Sequence, residues 1–396
     1  MTTLTTLQSA TDPLPYLSAE YRRDPYPFYA ALRAQHPVHR HPDGFWAITS
    51  YDALRNLLYD RTLGVAELDY GPAGPLHDSM LGADAPKHTR VRRTHSRWFT
   101  PKAVRTWTDI TRTEVDARLD RIVADRASFD AVHDLAFPVT FATISHLLGV
   151  PDTDGTKVRR ATYDIGKSLG LAPTEAEAAG TAAAFDWFVG HIEDLIADKR
   201  RRPGDGLLDA FLGFEDEGTM SHDEVIASTT LLFAVGHLDI TYLIAHGIKL
   251  MAEHPEILDT YRERPDQREV IVNETLRLDT PEQFVVRTTT QPITVGGVDI
   301  PAGEVLVLFI GAGNRDPLVF DEPDTFRLDR DVDLSKHLAF GGGIHGCAGQ
   351  VLARAEAHVV FTALAERFTT LELAGPVVHD HSDFIRSITA LPIAVR

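Results

Sequence analysis

Residues 340–349, with the sequence FGGGIHGCAG, restrict what this 396-residue chain can fold into more than any other segment does. They contain the only cysteine, so a disulfide within the chain and a cluster held by several thiolates are both excluded. Three consecutive glycines allow the backbone to turn tightly and to approach a flat ligand, because glycine has no Cβ. The following residues, 350–361, have the apolar spacing of an amphipathic helix.

Cys347 lies where this glycine loop meets the predicted N-terminus of that helix. Free backbone N–H groups and the positive end of the helix dipole favour a thiolate at such a position. A thiolate there is either a nucleophile or a metal ligand. The alternative is a small buried cysteine beside a turn.

The segment matches the pattern F-G-x-G-x-H-x-C-x-G, and at every fixed position it resembles the haem-ligand loop of the cytochrome P450 superfamily. The resemblance implies that Cys347 is the metal ligand of a haem b cofactor. It also implies that Phe340, Gly341, His345 and Gly349 contribute to the cofactor site, with His345 near a haem propionate. A thiolate ligand pushes electron density onto the iron and favours O–O cleavage.

A second motif, D-x-P-x-H-x-x-x-R, spans residues 84–92 and opens a predicted helix. His88 and Arg92 are four residues apart, so they share one helical face, which on its own is typical of a solvated basic patch. The motif resembles the helix whose histidine and arginine hold a haem propionate in the family. Arg287 matches the family arginine of the second propionate, and a guanidinium suits the geometry of a carboxylate.

Glu274 and Arg277 are neighbours on one face of another predicted helix, which Pro281 follows. On a surface helix such a pair stabilises by only about 0.2–0.5 kcal/mol. The pair resembles the E-x-x-R signature of the family, with Arg330 as the third member. The resemblance implies a structural role for these three residues in the core beside the cofactor.

The apolar residues 225–252 predict one long helix through the core, because they are hydrophobic on nearly every face. The family carries A-G-x-(D/E)-T in this helix, where an acid and an alcohol relay protons above the haem. Counting back from Glu274 puts Leu238 at the acid and Asp239 at the threonine. A shift by one residue would instead keep Asp239 as the acid and put Ile240 at the alcohol. In either register the usual pair is broken.

The catalytic candidates in this helix are His237, Asp239 and Thr241. Burial would raise the pKa of the Asp239 carboxyl unless a cation paired with it. Three roles remain open: Asp239 delivers protons, it binds a basic group of the substrate, or it is structural and paired with His237 or Thr241. Six residues are candidates for the substrate pocket, although each is equally compatible with plain core: Phe233, Gly236, Phe284, Val285, Phe384 and Ile385.

The resemblance covers nearly the whole chain and implies a mainly α fold with a minor β portion. We expect one haem-thiolate domain over residues 1–396, in which residues 1–20 form a loose extension. The haem would lie between the long core helix and the helix after Cys347.

Composition and the N-terminus limit the partners and the compartment. The formal net charge of −18 argues against a nucleic-acid partner, since phosphate binding needs a basic surface. Residues 1–13 have neither a basic start nor an apolar core, and charged or polar residues interrupt the apolar run 228–251. We therefore expect no signal peptide, no membrane anchor and a cytoplasmic location.

The function that the resemblance implies is a monooxygenase acting on a small organic substrate, such as a secondary metabolite, with O2. Electrons would come from a separate ferredoxin and ferredoxin reductase, since the chain contains no reductase domain. The broken acid–alcohol pair leaves an atypical haem-thiolate catalyst as an alternative, driven by peroxide or performing oxidative coupling, rearrangement or dehydration. A haem-binding sensor without turnover is a third possibility.

Overall fold

Helices make up most of the protein, as predicted. The computed structural model describes residues 13–65, 74–125, 128–151, 153–330, 333–380 and 382–396. The α-helices in these residues are α1 (Ala19–Arg23), α2 (Tyr26–Gln35), α3 (Tyr51–Tyr59), α4 (Lys87–Ser96), α5 (Pro101–Asp125), α6 (Phe137–Leu148), α7 (Gly155–Ser168), α8 (Glu175–Arg201), α9 (Leu207–Asp216), α10 (His222–Val235), α11 (Leu238–Glu253), α12 (Pro255–Glu263), α13 (Arg268–Leu278), α14 (Ile310–Gly313) and α15 (Gln350–Arg367).

The β portion is small and divided among short sheets. Its strands are β1 (Val38–Arg40), β2 (Phe45–Ile48), β3 (Leu63–Gly64), β4 (Ser128–Asp130), β5 (Val285–Thr289), β6 (Ile293–Val295), β7 (Val298–Ile300), β8 (Val305–Leu308), β9 (Leu371–Leu373), β10 (Val378–His379), β11 (Ile388–Ala390) and β12 (Pro392–Val395). The largest sheet has the strand order β1-β2-β8-β5-β3. It places β5, which carries Arg287, beside β8. The prediction of a mainly α fold with a minor β portion is confirmed.

Two large apolar clusters form the helical core. One contains side chains of α5, α11, α12, α13 and α15. The other contains side chains of α4 and α6 to α10. Burial of these apolar faces stabilises the helices, since isolated helices of this length are marginal in water.

The core helix is two helices rather than the one predicted, because the chain leaves the helical path between Val235 and Leu238. A Cβ at Gly236 would lie 2.2 Å from the carbonyl oxygen of Leu232, so only glycine fits this close approach. His237 has a φ of −130° and caps α11, where its carbonyl accepts the N–H of Thr241 at 2.9 Å. The break lies where the chain passes from one apolar cluster to the other.

The predicted loose extension is wrong for the described part of the N-terminus. Leu14 and Tyr16 are fully buried and belong to an apolar cluster with α2 and the largest sheet. The Tyr16 hydroxyl donates to a carboxylate oxygen of Asp43 at 2.6 Å. Residues 1–12 lie outside the described residues.

Among the described residues, two helical segments are long and apolar enough to cross a membrane, Ala131–Leu148 and His222–Glu253. Their most apolar windows are 72% and 83% buried inside the protein. Burial on this scale is typical of helices in the core of a globular protein, which is the role predicted for the second segment.

Candidate active site

The loop before α15 holds Cys347 through backbone hydrogen bonds. The Cys347 N–H donates to the carbonyl of Phe340 at 2.9 Å. Gly341 and Gly343 have φ values of +62° and +64°, which favour glycine. A Cβ at Gly343 would also lie 2.4 Å from the carbonyl oxygen of Leu58 in α3. The glycines therefore let the loop lie directly on α3 and return the cysteine to the interior.

Cys347 has solvent-accessible surface, although protein atoms surround it and desolvate its thiol. The thiol therefore faces an internal cavity. Burial raises the pKa of the thiol to about 11, while the N–H of Gly349 and the charge of Arg92 act in the opposite direction. Burial thus outweighs the Gly349 N–H and the Arg92 charge at this thiol. A coordinated metal ion would remove this proton, since a coordinating thiol is deprotonated by the metal's charge.

Two histidines from separate motifs meet at one edge of this cavity. The ring centroids of His88 and His345 lie 4.4 Å apart. Both side chains are buried, and both ring nitrogens of His88 and Nε2 of His345 lack a hydrogen-bond partner among the described residues. Burial lowers the pKa of both imidazoles, that of His345 to about 3. Buried donors without partners are costly, which indicates a ligand with acceptor atoms here.

Two guanidinium groups lie beside these rings. Arg92 donates from Nη2 to the carbonyl of Gly346 at 2.7 Å, which ties α4 to the cysteine loop. Arg287 donates from Nη1 to the carbonyl of Val286 at 2.8 Å, and its charge contributes to the low pKa of His345. Two arginines and two histidines at one edge match the two carboxylates of a haem, whose iron would face Cys347. The residues present therefore fit haem.

Comparison with known proteins agrees with this geometry. A model of the Cytochrome P450 family matches residues 42–386. The chain belongs to the cytochrome P450 family. It is 33% identical over 400 residues to the cytochrome P450 monooxygenase PikC of Streptomyces venezuelae, and the match covers 96% of this chain and 93% of that protein.

A second relative is nocardicin C N-oxygenase of Nocardia uniformis subsp. tsuyamanensis. It is 33% identical over 391 residues, covering 93% of this chain and 95% of that protein. The crystal structure of CalO2 superposes with a TM-score of 0.88 at 30% identity, covering 98% of this chain and 99% of that chain. The protein is thus a cytochrome P450 enzyme with one P450 domain, and the family implies a haem-thiolate cofactor.

The E-x-x-R residues of this P450 form a buried ionic cluster. Glu274 accepts from Arg277 at 2.7 and 2.8 Å, and from Nε of Arg330 at 2.8 Å. Both arginine side chains and the carboxylate are almost completely buried. Arg277 also donates to the carbonyls of Asn314 and Pro323. The cluster therefore holds the chain after α14 against α13, and none of its contacts involves Cys347.

Asp239 shares a hydrogen bond with the carboxyl of Glu282. Burial raises the pKa of Asp239 to about 7, and burial and the charge of Asp239 raise the pKa of Glu282 well above its usual value. Both carboxyls also raise the pKa of Cys347, so they face the same cavity. Sequence reasoning missed Glu282. Its position directly after Pro281 was the available signal, because the residues just beyond it were already expected in the pocket.

The other two catalytic candidates face α6 instead. His237 is fully buried, and its ring meets the rings of Phe137 and Phe141 edge-on at 5.4 and 5.6 Å. The hydroxyl of Thr241 lies 2.8 Å from that of Thr140 and donates to the carbonyl of His237. Asp239 therefore pairs with Glu282 rather than with His237 or Thr241, and the latter two stabilise the packing of α11.

The six pocket candidates divide into core and wall. Phe233 is fully buried and stacks on Phe141, and Phe284 packs against Phe384 at 5.2 Å in an apolar cluster. Gly236 belongs to the helix break. Val285 and Ile385 are half-buried. Ile385 pairs with Glu282 across an antiparallel bridge, so the two side chains lie on the same side of the backbone.

Proposed function

We propose that the protein is a haem b monooxygenase that oxidises a small organic molecule with O2. The observation that carries this proposal is that the Asp239 and Glu282 carboxyls lie within electrostatic range of the Cys347 thiol, on whose loop His345 meets His88 and Gly346 accepts from Arg92. The names of the two relatives, a monooxygenase and an N-oxygenase, support oxygen insertion as the reaction class.

Each residue of the site has a distinct task in this proposal. Cys347 binds the iron, and the edge with His88, Arg92, Arg287 and His345 binds the propionates and orients the cofactor. When bound, the haem-thiolate group supplies activation of O2. The carboxyls of Asp239 and Glu282 hold a proton at the opposite wall, where the substrate binds.

A basic strip beside the cofactor supports a separate acidic ferredoxin as the electron donor. Between Asp84 and Asp109 the sequence contains no acidic residue, on a chain whose net charge is −18. Five cations of this stretch are exposed, Arg90, Arg93, Arg97, Lys102 and Arg105, and Arg90 is paired with Glu224. They lie on α4 and its continuation into α5, and α4 carries His88 and Arg92 on its inner face. Charge complementarity here would steer an acidic partner to the haem. A ferredoxin reductase in the cytoplasm would complete the electron-transfer chain.

The atypical haem-thiolate catalyst remains the second candidate, and one observation favours it. The family's alcohol is absent at position 239, and the hydroxyl of Thr241, two residues further on, is bonded to Thr140. An enzyme that uses peroxide or catalyses a rearrangement has no need of that alcohol.

Spectroscopy and turnover test these proposals. The reduced protein under carbon monoxide should show the red-shifted Soret band of a thiolate-ligated haem. A compound that produces a low-to-high-spin shift should then be oxidised with ferredoxin, ferredoxin reductase and NAD(P)H. Turnover with peroxide alone would favour the second candidate, and the absence of product with either oxidant system would contradict both.

A further inference from the structure

Two acidic side chains from distant parts of the chain meet within electrostatic range of the Cys347 thiol. Asp239 lies in the first turn of α11, directly after the helix break, and Glu282 follows the turn at the end of α13. Their carboxyls share a hydrogen bond and face the cavity of Cys347. They belong to the pocket in which our proposed function places the substrate.

The backbone on both sides of Glu282 is held in place. The carbonyl of Pro281 accepts from the N–H of Arg386 at 2.8 Å, and the N–H of Gln283 donates to the carbonyl of Phe384 at 2.8 Å. Gly311 in turn donates to the carbonyl of Gln283 at 3.0 Å. A carboxyl on such a rigid segment is preorganised, so a ligand that binds it does not have to order the loop.

No cation of the described residues compensates this pair. Neither Asp239 nor Glu282 forms an ion pair there, and desolvation and their own mutual interaction account for the shifts in both pKa values. His237, two residues from Asp239, is enclosed by phenylalanine rings. Burying two carboxyls without a counter-ion costs free energy, and only a shared proton reduces that cost.

The wall beside the pair is apolar. Ile385 lies directly opposite Glu282, and its Cδ1 is 3.7 Å from the position that a Cβ would take on Gly166 of α7. Val285 is half-buried on the segment that follows Glu282. A ligand in this pocket therefore meets two carboxyls at one point and hydrocarbon around them.

We propose that the substrate carries a basic nitrogen, and that its cationic group binds between the carboxyls of Asp239 and Glu282 while its apolar part lies against Ile385. Glu282 is then a specificity-determining residue of this P450. This inference rests on the proposed function, since it assigns a substrate class to the same pocket. The cation replaces the proton that the carboxyls share, and that proton passes to solvent.

A matched pair of probes tests the charge requirement on the wild-type holoprotein. Hexyltrimethylammonium has a permanent charge and cannot ligate iron, and its uncharged tert-butyl analogue, with carbon in place of the nitrogen, has the same shape. Titration calorimetry should show tighter binding of the charged probe by about 30-fold or more, the scale of a desolvated charge pair. Equal affinities, or a preference for the neutral probe, would overturn the proposal without needing any variant.

Glu282→Gln and Asp239→Asn should each lose most of this preference and leave the affinity for the neutral probe unchanged. Glu263→Gln and Asp266→Asn, which change exposed acids of the same types, should keep it. A preference that survives in both pocket variants would overturn the assignment of these carboxyls.

Different results would contradict the proposed function and the inference about the substrate. A thiolate spectrum and turnover of a neutral compound, without a preference for the charged probe, would overturn only the inference about the substrate. Loss of the thiolate spectrum in the wild-type protein would overturn both.

Discussion

The imidazole rings of His88 and His345 lie with their centroids 4.4 Å apart, although one belongs to α4 and the other to the cysteine loop. Neither ring donates a hydrogen bond from Nε2 to any described residue, and both are buried next to Arg92 and Arg287. The two motifs thus converge on one edge of the cavity, where a haem propionate would supply the missing acceptors.

Replacing either histidine should weaken haem binding without changing the iron ligand. His88→Leu and His345→Leu each remove a hydrogen bond to a charged group, worth about 1.5–3 kcal/mol, or roughly ten- to hundredfold in haem affinity. Transfer of haem to a high-affinity acceptor protein measures the loss. The exposed His254→Leu is the control. A changed proximal ligand in the spectrum of the remaining holoprotein would contradict this assignment.

Cys347→Ala should abolish the thiolate spectrum. The chain has no other cysteine, so no second sulfur can replace the ligand. The carbon monoxide difference spectrum of the reduced variant checks this, together with its haem content. Retention of the thiolate band would refute Cys347 as the ligand.

Glu274→Gln should strongly destabilise the protein. The carboxylate accepts from Arg277 and Arg330 in a fully buried cluster, and removal of its charge leaves two buried guanidinium groups without a counter-ion. The free energy of unfolding should fall by about 3–5 kcal/mol, as for other broken buried ion pairs. Urea denaturation measures it, with Asp266→Asn at an exposed ion pair as the control. A change as small as that of the control would show that the cluster is not needed for stability.

Asp239→Asn should stabilise the protein more at high pH than at low pH. The pKa of Asp239 is about 7 in the folded protein, above the ordinary value of 3.8 that applies to the unfolded chain. At a pH between these two pKa values the unfolded state therefore binds fewer protons than the folded state. Wild-type stability should therefore fall as pH rises towards 7, whereas asparagine does not titrate. Glu282, Tyr242 and Cys347 also interact with this carboxyl, so the carboxyl pair titrates as a unit.

Urea denaturation at about pH 5 and about pH 8 tests this. The free energy of unfolding of Asp239→Asn, relative to the wild type, should rise by roughly 2 kcal/mol between these two pH values. The exposed Asp266 is ionised at both values because its pKa is lowered by Arg264, so Asp266→Asn should show no such growth. An advantage that shrinks as pH rises would mean that Asp239 is ionised in the folded protein.

Charge reversal in the basic strip should slow electron delivery and spare the haem site. Arg93→Glu with Arg97→Glu removes two exposed cations from the surface above α4. Ferredoxin-dependent reduction, followed by stopped flow, should slow by an order of magnitude or more at low salt and depend less on ionic strength. The exposed Arg160→Glu on α7 serves as the control. An equal loss of peroxide-driven turnover would point to damage to the active site instead.

The motifs of the haem edge are readable from sequence because each one is local. Glycine spacing around Cys347, the four-residue spacing of His88 and Arg92, and the three-residue spacing of Glu274 and Arg277 are all set within one loop or one helix. Their geometry follows from helix periodicity and glycine conformations, so it does not depend on the rest of the fold.

The arrangement of Asp239 and Glu282 depends on the tertiary structure. The break at Gly236 interrupts the periodicity that would otherwise assign a face to each residue of the core helix, and it turns Thr241 towards Thr140 and Asp239 towards the cavity. Asp239 meets Glu282 only because α11 and the segment around Glu282 both contact residues 384–386: His246 Nε2 lies 2.9 Å from the carbonyl oxygen of Arg386, whose N–H donates to the carbonyl of Pro281. Sequence thus determined the family and the candidate haem-binding residues, whereas the pairing of Asp239 with Glu282 arose from long-range packing, which no local spacing encodes.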